Sequence, residues 1–257
     1  MILILENATW QKISGTQSCE LFSFERKPDV KSSNAYLIRS AEWYAVIDPG
    51  ADEAQVQRIA DELNPLLERE SKPVLILLTH CHFDHFKSVQ SLMYAVQARC
   101  ILCVQEQGAV ALEKGDPKQT LSYLYNQPWE PMSVDVRLLT EADRSGLGTR
   151  SVPLDDIGRM ELQTGCHSLA GEDGFFYQKM IVNEGEPIFF YHTPGHSPDS
   201  QCIQIGALFW IGDLLLAANP GIAGVVGWSQ PDLIRSLENV RGLLLENYIE
   251  FCVMGHG

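Results

Sequence analysis

Thr79-His80-Cys81-His82-Phe83-Asp84-His85 is the stretch that decides how this chain is read. It follows Val74 to Leu78, a continuous apolar run of the kind found in a strand buried on both faces. Three of the chain's seven histidines and an aspartate therefore fall within six positions at the end of a buried strand. Imidazole and carboxylate are donors suited to zinc or iron. In an extended loop, residues two apart point the same way, so His80 and His82 can grip one cation. A turn at Phe83 can throw Asp84 and His85 toward a second. Two cations about 3.5–4 Å apart form a clamp suited to hydrolytic displacement. A surface cluster or core packing would account for one such histidine, but accounts poorly for three with an aspartate. Cys81, between two candidate ligands, points away from them and is expected to pack beneath the loop.

Similar residues recur downstream in the same context. His196 lies in His192-Thr193-Pro194-Gly195-His196-Ser197-Pro198-Asp199-Ser200, where Pro194 and Gly195 shape a tight turn after the apolar run Ile188 to Tyr191. Asp213 follows the run Leu208 to Ile211, and its two oxygens could bridge two cations. His256 follows Phe251 to Met254. Asp213 and His256 are weak signals singly. Their recurrence at strand ends makes the set strong. His192 could orient a ligand through a hydrogen bond, although a structural role is the commoner use of such a residue. Asp48, after Trp43 to Ile47, reads as a support rather than a ligand.

Upstream of the histidine motif, Glu20 to Phe24, Ala35 to Ile38 and Trp43 to Ile47 read as strands of one sheet. A helix fits Glu53 to Leu63, with Ala54, Val56, Ile59, Ala60 and Leu63 on one stripe. Downstream, a second is predicted over Lys87 to Ala98, then a strand over 100–104. Cys100 and Cys103 would sit on opposite faces of that strand as core cysteines. The stretch from about 108 to 174 is the least regular, with Pro117, Pro128, Pro131 and Pro153; it is expected to hold helices or a lid. Tyr123, Tyr125 and Trp129 there could line a pocket or simply pack, and His167 is given no role. Strands resume at Phe175 to Val182, Ile188 to Tyr191, Gln201 to Ile205 and Leu208 to Ile211. A helix capped by Ser229 is predicted over Pro231 to Leu245, and a last strand over Phe251 to Met254. This order predicts an α/β or α+β fold, two sheets packed together with helices outside.

The chain has 257 residues, 45% hydrophobic and 20% charged, with a formal net charge of −14. That acidity argues against a nucleic-acid binder, which needs a basic face for phosphates. No apolar run is long enough to span a membrane. The start, Met1 to Trp10, lacks the basic flank and long apolar core of a signal peptide, so a cytoplasmic protein is expected. Seven irregularly spaced cysteines fit a reducing compartment rather than a disulfide framework.

The segments around His80–His85, His192–Ser197, Ile211–Asp213 and Met254–Gly257, in that order, resemble the metallo-β-lactamase superfamily, whose members include glyoxalase II and lactonases. Asp48 also matches that family's early strand-end aspartate. The resemblance spans residue 35 to the end, apart from about 108–174. It implies an αββα sandwich forming a single domain over 1–257, with an irregular insertion or lid at 108–174 and the site at one sheet edge. It implies that His80, His82 and His196 bind one metal, that Asp84, His85 and His256 bind the other, and that Asp213 bridges them. The cofactors implied are two divalent metal ions, zinc first, with iron or manganese as alternatives. A hydroxide bridging the two would attack, with Asp84 as the catalytic residue orienting it.

The activity expected is hydrolysis of an ester, thioester, lactone or related acyl bond in a small-molecule substrate. The alternatives are a mononuclear-iron persulfide dioxygenase, a phosphodiesterase or nuclease, and a non-catalytic metal-binding sensor. Against the dioxygenase, Leu214 to Trp228 lacks the cysteine- and arginine-containing stretch associated with it. Acidity lowers the nuclease reading, and the absence of a signal peptide lowers that of a β-lactamase. A further helix is expected after His256, with part of the pocket lying beyond Gly257.

Overall fold

The computed structural model describes residues 5–26, 31–167, 174–215 and 224–256. Residues 1–4, 168–173, 216–223 and Gly257, on which parts of the sequence reading fall, lie outside the described residues.

The first sheet runs in the order β1 (Trp10–Lys12), β2 (Glu20–Phe24), β3 (Ala35–Arg39), β4 (Tyr44–Ile47), β5 (Val74–Leu77), β6 (Cys100–Gln105) and β7 (Val136–Leu138). β1 to β4 are antiparallel neighbours, and β4 to β7 pair in parallel. The second sheet contains β8 (Thr149–Pro153), β9 (Arg159–His167), β10 (Phe175–Val182), β11 (Ile188–His192), β12 (Gln201–Ile205), β13 (Leu208–Gly212) and β14 (Phe251–Met254). It is antiparallel except for the β13–β14 pair.

Period-two alternation explains why the sheets stack. In β5, Leu75 and Leu77 enter the layer between the sheets, with Ile203, Ile205 and Trp210 from the other side. Val74 and Ile76 point outward beneath the helices. In β6, Cys103 is buried between the sheets while Cys100 faces the outer layer, as the odd spacing requires. The first sheet's outer face is covered by α1 (Glu53–Arg69), α3 (Val89–Ala95) and α4 (Glu106–Lys114). That of the second is covered by α6 (Gln230–Glu246), through Leu233, Val240 and Leu243. The predicted αββα sandwich is therefore borne out.

Some boundaries differ from expectation. α1 runs past Leu63 through Pro65, because its apolar stripe continues to Leu67; proline costs one intrahelical bond, and the buried face outweighs it. The helix expected over Lys87 to Ala98 forms, shorter at both ends, as α3, and a separate short helix precedes it. A four-residue turn, α2 (Phe83–Phe86), begins inside the histidine motif, and α3 follows after Ser88. The stretch 108–174 is more regular than its prolines suggest. Besides α4 and α5 (Glu141–Gly146), it supplies β7 to one sheet and β8 and β9 to the other. No helix among the described residues is long and apolar enough to cross a membrane.

Strand direction brings the candidate ligands to one place. β4 and β5 are parallel, and so are β13 and β14, while β11 is two antiparallel steps from β13 and runs the same way. All five end at one edge. There the sheets are tied together: Gln201 N donates to Thr79 O at 2.9 Å, Gln201 Nε2 to Leu78 O at 2.8 Å, and Asn34 N to Gly255 O at 2.7 Å.

Candidate metal centre

His82 is extended and α2 starts at the next residue, so His80 and His82 lie on one side of the loop while Asp84 and His85 are carried round by a helical turn. His196 reaches the same place from the turn after β11. Its Nε2 is 2.9 Å from His82 Nδ1 and 3.2 Å from His80 Nε2. Asp84, His85, Asp213 and His256 form a second group, with ligand atoms within 4.8 Å of one another. In it His256 Nε2 is 3.0 Å from Asp84 Oδ2, and His85 Nε2 is 3.5 Å from Asp213 Oδ1. Asp213 Oδ2 stands 3.7 Å from His196 Nε2 and 3.7 Å from His256 Nε2, so one carboxylate touches both groups. The structure thus brings together all seven residues singled out in the sequence: His80, His82, Asp84, His85, His196, Asp213 and His256.

Hydrogen bonds behind the site fix which ring nitrogens face it. Asp48 Oδ2 accepts from Thr79 Oγ1 at 2.6 Å and lies 3.0 Å from His85 Nδ1, while Asp48 Oδ1 accepts from Thr79 N at 2.8 Å. His85 therefore donates from Nδ1 to Asp48 and turns Nε2 inward. Thr79 Oγ1, its own proton used on Asp48, is 3.2 Å from His80 Nδ1 and accepts from it. That frees His80 Nε2 in turn. Asp48 has a φ of 47°, a left-handed conformation that is costly for a residue with a side chain and is held here by those bonds. Asp48 is thus the support the sequence suggested. Close packing allows the rest: a Cβ on Gly255 would lie 2.5 Å from Asp213 Oδ1 and 2.7 Å from His85 Cε1, so only glycine lets β14 deliver His256 there.

The two groups differ electrostatically. Burial lowers the pKa of His80, His82 and His196, that of His82 to about 3, which leaves neutral imidazoles with lone pairs to give. Burial opposes the cationic form of His85 too, but Asp213, Asp48 and Asp84 outweigh it and hold that pKa well above its ordinary value. Burial likewise opposes the charges of Asp84 and Asp213, yet neighbouring His85 keeps both below the usual carboxylate range. A surplus of negative charge here calls for a cation. His85 Nε2 and Asp213 Oδ1 are buried with no hydrogen-bond partner among the described residues. Buried polar atoms without partners are rare in folded proteins. Oxygen and imidazole donors converging in this way fit divalent cations such as zinc or iron.

The other candidates resolve differently. Cys81 packs beneath the loop in the outer core. His192 Nε2 lies 2.9 Å from Pro198 O and braces the His196 turn without reaching the cluster. Tyr125 stacks on Phe83 at 4.7 Å, and Trp129 meets Phe86 edge-on at 4.9 Å, so both buttress α2. Tyr123 is half exposed. His167 packs among aromatic rings, 4.7 Å from Tyr177. Two residues escaped the sequence reading. Thr79 entered only as the first residue of the histidine motif, and Asp199 only as part of the segment that carries His196. Neither position carries a pattern that announces its contacts.

Known proteins share this arrangement of strands and motifs. Residues 28–248 match the family model of the metallo-beta-lactamase superfamily. The chain belongs to that superfamily. Among relatives of this superfamily member, the "probable metallo-hydrolase YqgX" of Bacillus subtilis (strain 168) is 24% identical over 229 residues, covering 88% of this chain and 85% of the relative. Among solved structures, the BLEG-1 B3 metallo-beta-lactamase superposes with a TM-score of 0.57 at 22% identity, covering 92% of this chain and 91% of the other. TTHA1623, solved in a di-iron-bound form, gives 0.54 at 23% identity, covering 91% and 92%. These likenesses show a shared fold.

Proposed function

We propose that this chain is a binuclear metal-dependent hydrolase acting on an ester, thioester, lactone or related acyl bond of a small molecule. The observation that carries the reading is Asp213 Oδ2, equidistant at 3.7 Å from a histidine of each group. Superfamily membership and the metallo-hydrolase relative support it. His80, His82 and His196 would hold one cation, Asp84, His85 and His256 the other, and Asp213 both. Bound there, two such cations would supply Lewis acidity, lowering the pKa of a bound water toward neutrality and polarising the oxygen of an acyl carbonyl.

The chain's own residues do the rest. Asp48 and Thr79 keep His85 and His80 in the donor tautomer. Asp213 fixes the separation between the groups. Asp84 and His256 are the more exposed members, with side chains 11% and 10% accessible, so Asp84 is suited to orient water entering from solvent. Zinc fits the nitrogen- and oxygen-only donor set, and the di-iron form of TTHA1623 makes iron the first alternative. The seven free cysteines support a cytoplasmic setting. The net charge of −14 favours a small substrate over a nucleic acid.

The test is turnover of a panel of thioesters, lactones, esters and phosphodiesters by protein reconstituted with zinc, iron or manganese. The reading expects an acyl substrate to be hydrolysed and His80→Ala to abolish it. No acyl turnover with any metal would overturn it.

A further inference from the structure

Asp199 is 2% exposed, three residues after His196, and belongs to neither ligand group. Its Oδ2 accepts from the backbone N of Cys81 at 2.7 Å, between His80 and His82. Its Oδ1 accepts from Ser197 Oγ at 2.7 Å, beside His196. Ser200 Oγ, 2.7 Å from Ser197 Oγ, closes this knot by accepting from Ser197 N at 3.2 Å. One carboxylate therefore ties the loop after β5 to the turn after β11, the two segments that bear the three histidines. α4 makes room for it: a Cβ on Gly108 would stand 2.4 Å from Asp199 Oδ2.

We propose that Asp199 is a positioning residue and the counter-charge for the cation of the three-histidine group, an inference that rests on the two-cation reading above. The three imidazoles are neutral and offset none of a cation's charge; the one ligand carboxylate within reach, Asp213, lies 3.7 Å from His196 Nε2 and is shared with the other group. Asp199 lies directly behind the histidines and is fully buried. Burial pushes its pKa up; the contacts that oppose this come from Ser197, Cys81 and its own backbone, and no lysine or arginine pairs with it among the described residues. The first turn of α4, which holds Gly108, contributes only the partial charge of a helix end. An isolated buried carboxylate is costly in a folded protein. A cation held by His80, His82 and His196 gives that charge a partner, and the hydrogen bonds convert the attraction into a fixed loop geometry.

Two quantities separate this from simple packing: cation affinity, by chelator competition, and the melting temperature of the metal-free protein. Asp199→Asn keeps an acceptor for Cys81 N but removes the charge. It is expected to weaken one of the two cations about tenfold or more, the range typical of residues that support metal ligands. It should leave the metal-free melting temperature unchanged or raised. The affinity loss should vanish in a His80→Ala background, which assigns it to the three-histidine group. Gly108→Ala, which crowds the carboxylate without touching a ligand, should weaken the same cation, and it carries the test if Asp199→Asn fails to fold. Unchanged affinities in these variants, or a fall in affinity matched by a fall in metal-free stability, overturns the proposal alone. Wild-type protein that takes up neither cation overturns the two-cation reading and this inference with it.

Discussion

His85 Nδ1 lies 3.0 Å from Asp48 Oδ2, and this contact decides which face of the His85 ring is offered to the site. The same oxygen accepts from Thr79 Oγ1, which in turn receives His80 Nδ1, so one strand-end carboxylate sets the tautomer of a histidine in each group. Asp48→Ala should therefore weaken both cations, by roughly 10–100-fold. Metal content after dialysis against graded chelator measures it; full retention of both would count against the relay.

Thr79→Val tests the relay's second step alone. It keeps the backbone bond from Thr79 N to Asp48 Oδ1 at 2.8 Å and removes only the hydroxyl. With the His80 proton no longer directed to Nδ1, affinity at the three-histidine group should fall by about tenfold, with the second group much less affected. Chelator competition on this variant and wild type reads the difference.

Gly255→Ala should act sterically on the other group. The added Cβ would press on Asp213 Oδ1 and on the His85 ring, so β14 must withdraw and take His256 with it. The expected outcome is a protein that folds, by circular dichroism, yet binds the second cation at least about tenfold more weakly. Equal affinity would show that His256 is not held as described.

A pH effect on stability is expected in the 108–174 stretch. Burial opposes the charge of Asp143, but Arg150, Gln178 and Thr140 bond to it and hold its pKa below the usual carboxylate value. A carboxylate whose folded pKa is depressed stabilises above its unfolded pKa, about 4, and loses that contribution as pH falls through the folded value. Asp143→Asn should lower the melting temperature at neutral pH, and the gap from wild type should close on acidification. A gap independent of pH would contradict the assignment.

The core strands and the candidate ligands were legible because their signals are local. Val74 to Leu78 is apolar at every position, and His80, His82, Asp84 and His85 sit side by side. Asp213 and His256 were weak signals singly; their recurrence with His196 at strand ends singled them out, and the family resemblance supplied their expected roles. What escaped was non-local or masked by local exceptions. β9 alternates in burial, with Met160, Leu162 and Thr164 inward, but flanking glycines and prolines hid the period. The stripe was followed only to Leu63, whereas α1 runs on through Pro65 and buries Leu67. Thr79 and Asp199 act through contacts 31 and 118 positions away, which no spacing in the chain reveals.

The decisive measurement is the number of divalent cations per chain in metal-reconstituted protein, with anomalous diffraction locating them. Two are predicted, one among His80, His82 and His196 and one among Asp84, His85 and His256, with Asp213 between them. A single cation per chain at saturation, or two that do not share Asp213, would contradict the binuclear reading.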